Sequence, residues 1–134
     1  MKDISLLNIP DDMRYAEDHE WAKLDGDNIL IGINDYAQDQ LGDIVFVELP
    51  QVGAAFKKGD EFSTVESVKA VVECYLPVSG KITAVNKTLE DAPELVNQDP
   101  YGDGWFVEVK PDDISEWDTL MTAEACLEKL KGAA

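Results

Sequence analysis

The stretch "EWAKLDGDNILIGIN" constrains the fold more than any other. Trp21 to Leu24 and Ile29 to Ile33 are strand-like, and Asp25, Gly26, Asp27 and Asn28 between them form a turn cluster, so the segment predicts a β-hairpin. Short runs of this kind recur along the chain. "DIVFVELP" reads as a strand with Val45, Val47 and Leu49 on one face, and Pro50 ends its ladder. "QVGAAFKKGD" reads as strand and turn, with Gly59 and Asp60 as the tight point. "EFSTVES" and "KAVVECYLPV" form two extended arms around Ser67, Val68 and Lys69. "GKITAVN" after Gly80 and "WFVEVK" near the end complete the strands. The echo of "LPQVG" (49–53) in "LPVSG" (76–80), each between two strands, suggests two halves related by approximate two-fold symmetry.

Helical signals are short and sit between these runs. Asn34 can cap "DYAQDQL", which Gly42 stops. "TLEDAPELVNQ" contains a brief helix that Pro93 can open, and "DPYGDG" is loop. The tail from "SEWDTLMTAEACLEKLKGAA" reads as helix in two pieces. In the second, Ala125, Leu127 and Leu130 form the apolar set, Lys129 and Lys131 favour the C-terminal end, and Gly132 stops it. The expected architecture is mainly β, with short peripheral helices and a C-terminal helix. At 134 residues the chain fits one domain, 1–134, with a core at about 20–110 and a helical segment at about 112–131.

The formal net charge is -17, from 11 Lys and Arg against 28 Asp and Glu. Such a field repels phosphate backbones and anionic lipid, so nucleic acid and membrane surfaces are not expected partners; it suits basic patches on other proteins. Cys74 and Cys126 form no CxxC and read as free thiols of a reducing compartment. The amino-terminal stretch "MKDISLLNIPDDM" carries no signal-peptide core, and no apolar run reaches membrane-spanning length, which gives the cytoplasm as the default.

The search for catalytic chemistry returns little. His19 is the only histidine, so a zinc site lacks ligands, and it reads as a structural group at a strand edge. No glycine-rich phosphate cradle occurs. The acids of the 25–28 turn lack EF-hand spacing and serve turn chemistry. Lys69 stands apart as the single cation of an otherwise apolar and acidic stretch. A catalytic lysine amine needs burial or a cationic neighbour to lower its pKa. A turn between Glu66 and Glu73 offers neither and favours the protonated form. An exposed turn instead suits a lysine that a second enzyme reaches and acylates, leaving a long arm on a rigid base. Val65, Val68 and Val71 are the residues expected to pin that base.

"VESVKA" (65–70) resembles the lipoyl-attachment turn of the glycine cleavage system H proteins. "HEW" at 19–21, "LGDIVFVELP" at 41–50, "VGAAFKKGD" at 52–60, "PVSGKITAVN" at 77–86 and "PELVNQDPYGDGW" at 93–105 extend the likeness over nearly the whole chain. One departure is Tyr36, where many members of that family carry histidine.

The resemblance implies a barrel-sandwich hybrid of the lipoyl/biotinyl-carrier type and a carrier that is not itself an enzyme. Lipoate would join Lys69 by an amide, placed there by a lipoate ligase or lipoyl transferase. The carrier would accept the aminomethyl group from pyridoxal-phosphate-dependent glycine decarboxylase and present it to the aminomethyltransferase and tetrahydrofolate. Reoxidation would follow on dihydrolipoamide dehydrogenase, with the carrier itself monomeric. A loaded arm would gain from a sheltering groove, for which Glu20 and Glu73 are the candidate acids and Ile33 the candidate apolar wall. The rival readings are a lipoyl carrier or lipoate relay for other 2-oxoacid dehydrogenase complexes, a biotin carrier, an enzyme and an unmodified interaction domain. Biotinyl lysines usually sit between methionines, whereas Val68 and Ala70 flank Lys69.

Overall fold

The computed structural model describes residues 6–133; residues 1–5 of the stretch read for a leader lie outside the described residues. Nine strands form two antiparallel sheets among the described residues. The strands are β1 (Arg14–Tyr15), β2 (Glu20–Asp25), β3 (Asn28–Ile33), β4 (Ile44–Glu48), β5 (Ala55–Phe56), β6 (Glu61–Ser67), β7 (Val71–Tyr75), β8 (Gly80–Val85) and β9 (Val107–Pro111). The larger sheet has the order β1-β2-β3-β9-β8-β5, and the smaller has the order β4-β6-β7. Their facing sides enclose Ile31, Val47, Val65, Leu76, Val78, Ile82 and Val109, all nearly inaccessible to water. This is the mainly β architecture that the strand pattern predicts, in the barrel-sandwich arrangement that the family resemblance implies.

The hairpin of β2 and β3 pairs Asp25 with Asn28 across its turn, as expected from "DGDN". Helix α1 (Asp35–Leu41) begins where Asn34 Oδ1 accepts the Ala37 N–H at 2.8 Å and ends at Gly42, whose φ of 76° suits glycine. Two short helices follow β8 instead of one: α2 (Thr88–Asp91) and α3 (Leu95–Gln98), with Pro93 between them. β1 lies ahead of the expected core and pairs with β2.

Strand β4 departs from simple alternation. A bulge between Ile44 and Phe46 sets two residues of β4 against one of β6. Val45 is thereby turned outward and half-exposed, while Ile44 and Val47 face the core. The expected face of Val45, Val47 and Leu49 is therefore corrected at Val45.

The tail forms α4 (Ser115–Asp118) and α5 (Ala123–Ala133). Between them Met121 exchanges two backbone hydrogen bonds of 2.8 Å with Tyr15, which fastens the tail to β1. Helix α5 buries Ala123, Cys126 and Leu130 against Met13, Tyr15 and Trp21. The apolar face is thus rotated from the expected Ala125, Leu127 and Leu130, because Cys126 behaves as a small hydrophobe and leads the stripe. Gly132 continues the helix, which runs to Ala133, and is not among the glycines with positive φ. Among the described residues no helix is long and apolar enough to cross a membrane.

Candidate functional site: an exposed lysine beside an acidic cavity

The β6–β7 hairpin closes in a tight turn at Ser67–Ala70. The Ser67 N–H donates to the Ala70 carbonyl at 2.8 Å. Ser67 Oγ accepts from the N–H groups of Lys69 at 3.2 Å and Ala70 at 3.1 Å. One serine oxygen therefore holds the backbone on which Lys69 stands. A second anchor comes from outside the hairpin, where the Val68 N–H donates to the Asp43 carbonyl at 3.1 Å.

The 42–44 segment is itself held. Asn97 of α3 donates from Nδ2 to the Gly42 carbonyl at 2.8 Å and accepts the Ile44 N–H on Oδ1 at 2.9 Å. A chain of hydrogen bonds thus runs from α3 through Gly42–Ile44 to the tip. The side chain of Lys69 is exposed and lies along Gly42: a Cβ added there would stand 3.5 Å from Lys69 Cε. Of the three valines expected to pin the tip, only Val65 is buried; Val68 and Val71 are 65% and 59% exposed. Hydrogen bonds replace them because a two-residue tip projects past the end of the core, where no second sheet can cover side chains.

Beyond Leu41 and Val72 opens a cavity of about 310 Å³. Glu20, Ile33 and Glu73 all line it, so the three residues expected near a carried arm are brought together although they come from three strands. Ala37, Leu41 and Val72 add apolar wall, and Lys69 is not part of the lining. Glu20 is 1% exposed. Its Oε2 accepts the Tyr75 N–H at 3.3 Å, whereas Oε1 is buried with no hydrogen-bond partner. Burial pushes the carboxyl up to about 7, with the Tyr75 N–H opposing the shift. Glu73 is exposed at the rim.

His19 and Tyr36 also line the cavity, with ring centroids 4.7 Å apart. His19 adopts a φ of 74°, a region that non-glycine residues seldom enter. Its Nδ1 is buried and without a partner, and burial lowers its pKa, with nearby Lys129 acting in the same direction. It is therefore a cavity residue and not only a strand-edge group. Ser67, Asp43 and Asn97 carry no sequence signal of their roles, since each acts through backbone groups distant in sequence or hidden in a turn.

Two sheets packed as a barrel-sandwich, with one hairpin presenting a lysine to solvent, define a fold of the lipoyl/biotinyl-carrier type. The family model described as "Glycine cleavage H-protein" matches residues 13–133, and the chain belongs to that family. It is 53% identical over 118 residues to the glycine cleavage system H protein of Geobacillus kaustophilus, covering 88% of this chain and 93% of that one. To the glycine cleavage system H protein of Thermus thermophilus it is 52% identical over 128 residues, covering 96% of this chain and all of the other. The crystal structure of a glycine cleavage system H protein from Mycobacterium marinum superposes with a TM-score of 0.83 at 38% identity, covering 92% of this chain and 99% of that one.

Proposed function

We propose that this chain is the lipoyl carrier of a glycine cleavage system, working in the cytoplasm, with lipoate held in amide linkage on Lys69 Nζ. The observation that carries this reading is Lys69 itself, exposed on a turn whose backbone is fixed by Ser67 Oγ and the Asp43 carbonyl. Such a lysine can be acylated by a visiting enzyme, and its arm then has a fixed origin. The cavity fits the group: its walls are largely apolar at Ile33, Ala37, Leu41 and Val72, and it offers one buried carboxylate oxygen with no partner, Glu20 Oε1.

Attached at Lys69, lipoate would supply a disulfide able to accept an aminomethyl group on glycine decarboxylase, to give up its carbon to tetrahydrofolate on the aminomethyltransferase and to be re-formed on dihydrolipoamide dehydrogenase. The chain's own residues do different work. Ser67 and Asp43 fix where the arm begins. The apolar wall excludes water, and Glu20 and Glu73 offer acceptors to a cationic amine. The chain is a carrier in this reading and contributes no catalytic residue.

Intact-mass and peptide mass spectrometry of protein from its native host test the proposal. Lipoate on Lys69 alone is the expected result, and Lys69→Arg should fold normally and lose all carrier activity. Lipoate on Lys81 or Lys87 instead would overturn the assignment. Biotin on Lys69 would move the chain to the rival carrier class.

A further inference from the structure

The outer face of the three-stranded sheet has a composition that its fold does not require. Across β4, β6 and β7 the register aligns Phe46, Glu66 and Val71 in one row and Glu48, Thr64 and Glu73 in the next. The intervening row of Val47, Val65 and Val72 turns inward. Phe46 and Val71 are 48% and 59% exposed, and the bulged Val45 and the tip residue Val68 are exposed beside them. Among the described residues, eight large hydrophobic side chains are exposed, and four of them lie on the Lys69-bearing hairpin (Val68, Val71) or on the β4 strand paired with it (Val45, Phe46). Scattered exposed hydrophobes need no explanation, but a cluster of them interleaved with and flanked by acids marks a contact surface.

We propose that this face, built on Phe46, Val68 and Val71, with Glu66 between Phe46 and Val71 and with Glu48 and Glu73 in the next row, is the docking surface for the enzyme that acylates Lys69. The inference rests on the carrier reading above. That enzyme must bring Lys69 Nζ itself to the activated lipoyl carbonyl. The amide N–C bond then forms as the bond to the adenylate breaks. AMP leaves with the electron pair, and the ammonium group gives up two protons. Surface within one lysine side chain of Nζ is therefore covered during the reaction. Enzymes that use the finished arm act at its far end, a full lipoyl arm away from Nζ, so the demand for close cover of this surface is strongest for the acylating enzyme.

The charge narrows the occupant further. A second copy of this chain, at -17, would set acid against acid. The complementary surface is an apolar pocket with a lysine- or arginine-rich rim beside the acylation site.

The test is steady-state lipoylation of the apoprotein by a lipoate–protein ligase with lipoate and ATP. Wild type is compared with the double variant Phe46→Ser/Val71→Ser, with Phe46→Ser alone and with Val52→Ser, an exposed control away from the face. Circular dichroism checks the fold of each. Loss of the two apolar contacts that flank Glu66 should raise KM for the apoprotein about tenfold or more with kcat little changed. Val52→Ser should match wild type, and added salt should raise KM for wild type. An unchanged KM in the folded double variant, or in Phe46→Ser should the double variant not fold, overturns the docking face and leaves the carrier reading intact. A normal KM for the ligase with a raised KM for glycine decarboxylase also overturns it, because the face then serves the decarboxylase. Failure of wild type to be acylated at Lys69 overturns the carrier reading and this inference with it.

Discussion

The buried carboxylate of Glu20 joins the two sheets, its Oε2 accepting the Tyr75 N–H at 3.3 Å. Glu20 opens β2 of the larger sheet and Tyr75 closes β7 of the smaller one. β7 is an edge strand, and the carboxylate satisfies one of its unpaired N–H groups from across the interface. The second oxygen of the same carboxylate has no partner. The molecule therefore holds an acid whose ionised form is only half satisfied.

This imbalance makes stability depend on pH in a defined direction. Burial raises the Glu20 carboxyl from an ordinary 4.5 to about 7. Between those values the folded state binds a proton that the unfolded state has lost, so stability falls as pH rises through the window. The full loss is about 3 kcal/mol, reached above pH 7, from the size of the shift. Glu20→Gln keeps an acceptor for Tyr75 and cannot ionise. Urea titrations at pH 5 and pH 8 should show wild type losing stability between them and Glu20→Gln losing much less. Parallel losses in the two proteins would remove Glu20 as the cause.

Two glycines of the strand connections should fail for different reasons when replaced by valine. Gly59 has a φ of 90° in open space, so Gly59→Val pays only backbone strain, about 1–3 kcal/mol. Gly80 has no such φ, but a Cβ there would collide with the Lys110 carbonyl and the Val109 side chain. Gly80→Val must push β8 and β9 apart and should be the more destabilising of the two. Thermal melts order them; equal melting temperatures for both variants and wild type would show that neither position is constrained.

Asn97 should matter to Lys69 without touching it. Asn97→Ala leaves the Gly42 carbonyl and the Ile44 N–H without that partner, a loss of about 1–3 kcal/mol. The 42–44 segment then holds the Val68 N–H less firmly. Hydrogen exchange at Val68 should quicken while exchange in β2 and β3 is little altered. Ser67→Ala should quicken exchange at Lys69 and Ala70 with a smaller global effect, because the turn is exposed.

Local chemistry made much of this legible in the sequence. "DGDN" announced a hairpin, Asn34 and Gly42 marked both ends of α1, and a lysine alone in an apolar and acidic stretch stood out at once. The bulge at Val45 was hidden because it depends on the partner strand, and a single strand read by itself shows only alternation. The buried face of α5 departs from the Ala125, Leu127 and Leu130 pattern because Cys126 packs there as a small hydrophobe, a role that its thiol does not announce in the sequence. "HEW" identified Glu20, but its orphan oxygen arises from three strands meeting and has no one-dimensional signature.

The cavity leads to a prediction about the loaded arm. A carried aminomethyl group has a labile carbon–sulfur bond and a cationic amine, and water at that bond releases the carbon unproductively. Ile33, Leu41 and Val72 offer a dry wall, while Glu20 Oε1 offers a buried acceptor not claimed by the protein. An ammonium group placed there would form a charge-assisted hydrogen bond and favour the ionised carboxylate, so loading should lower the Glu20 pKa below about 7. Glu73 at the exposed rim is screened by solvent and should contribute less. The measurement is spontaneous ammonia release from protein loaded with the aminomethyl group, for wild type, Glu20→Gln and Glu73→Gln, each fully lipoylated. Release should be fastest in Glu20→Gln, intermediate in Glu73→Gln and slowest in wild type. Release from wild type should slow as pH rises through the lowered Glu20 pKa of the loaded protein, below about 7, after correction for the pH dependence of free aminomethyl-dihydrolipoamide, because the carboxylate that binds the amine is then ionised. Equal rates in all three proteins, matching the free compound, would mean that the arm never rests in the cavity and that the orphan oxygen of Glu20 serves some other end.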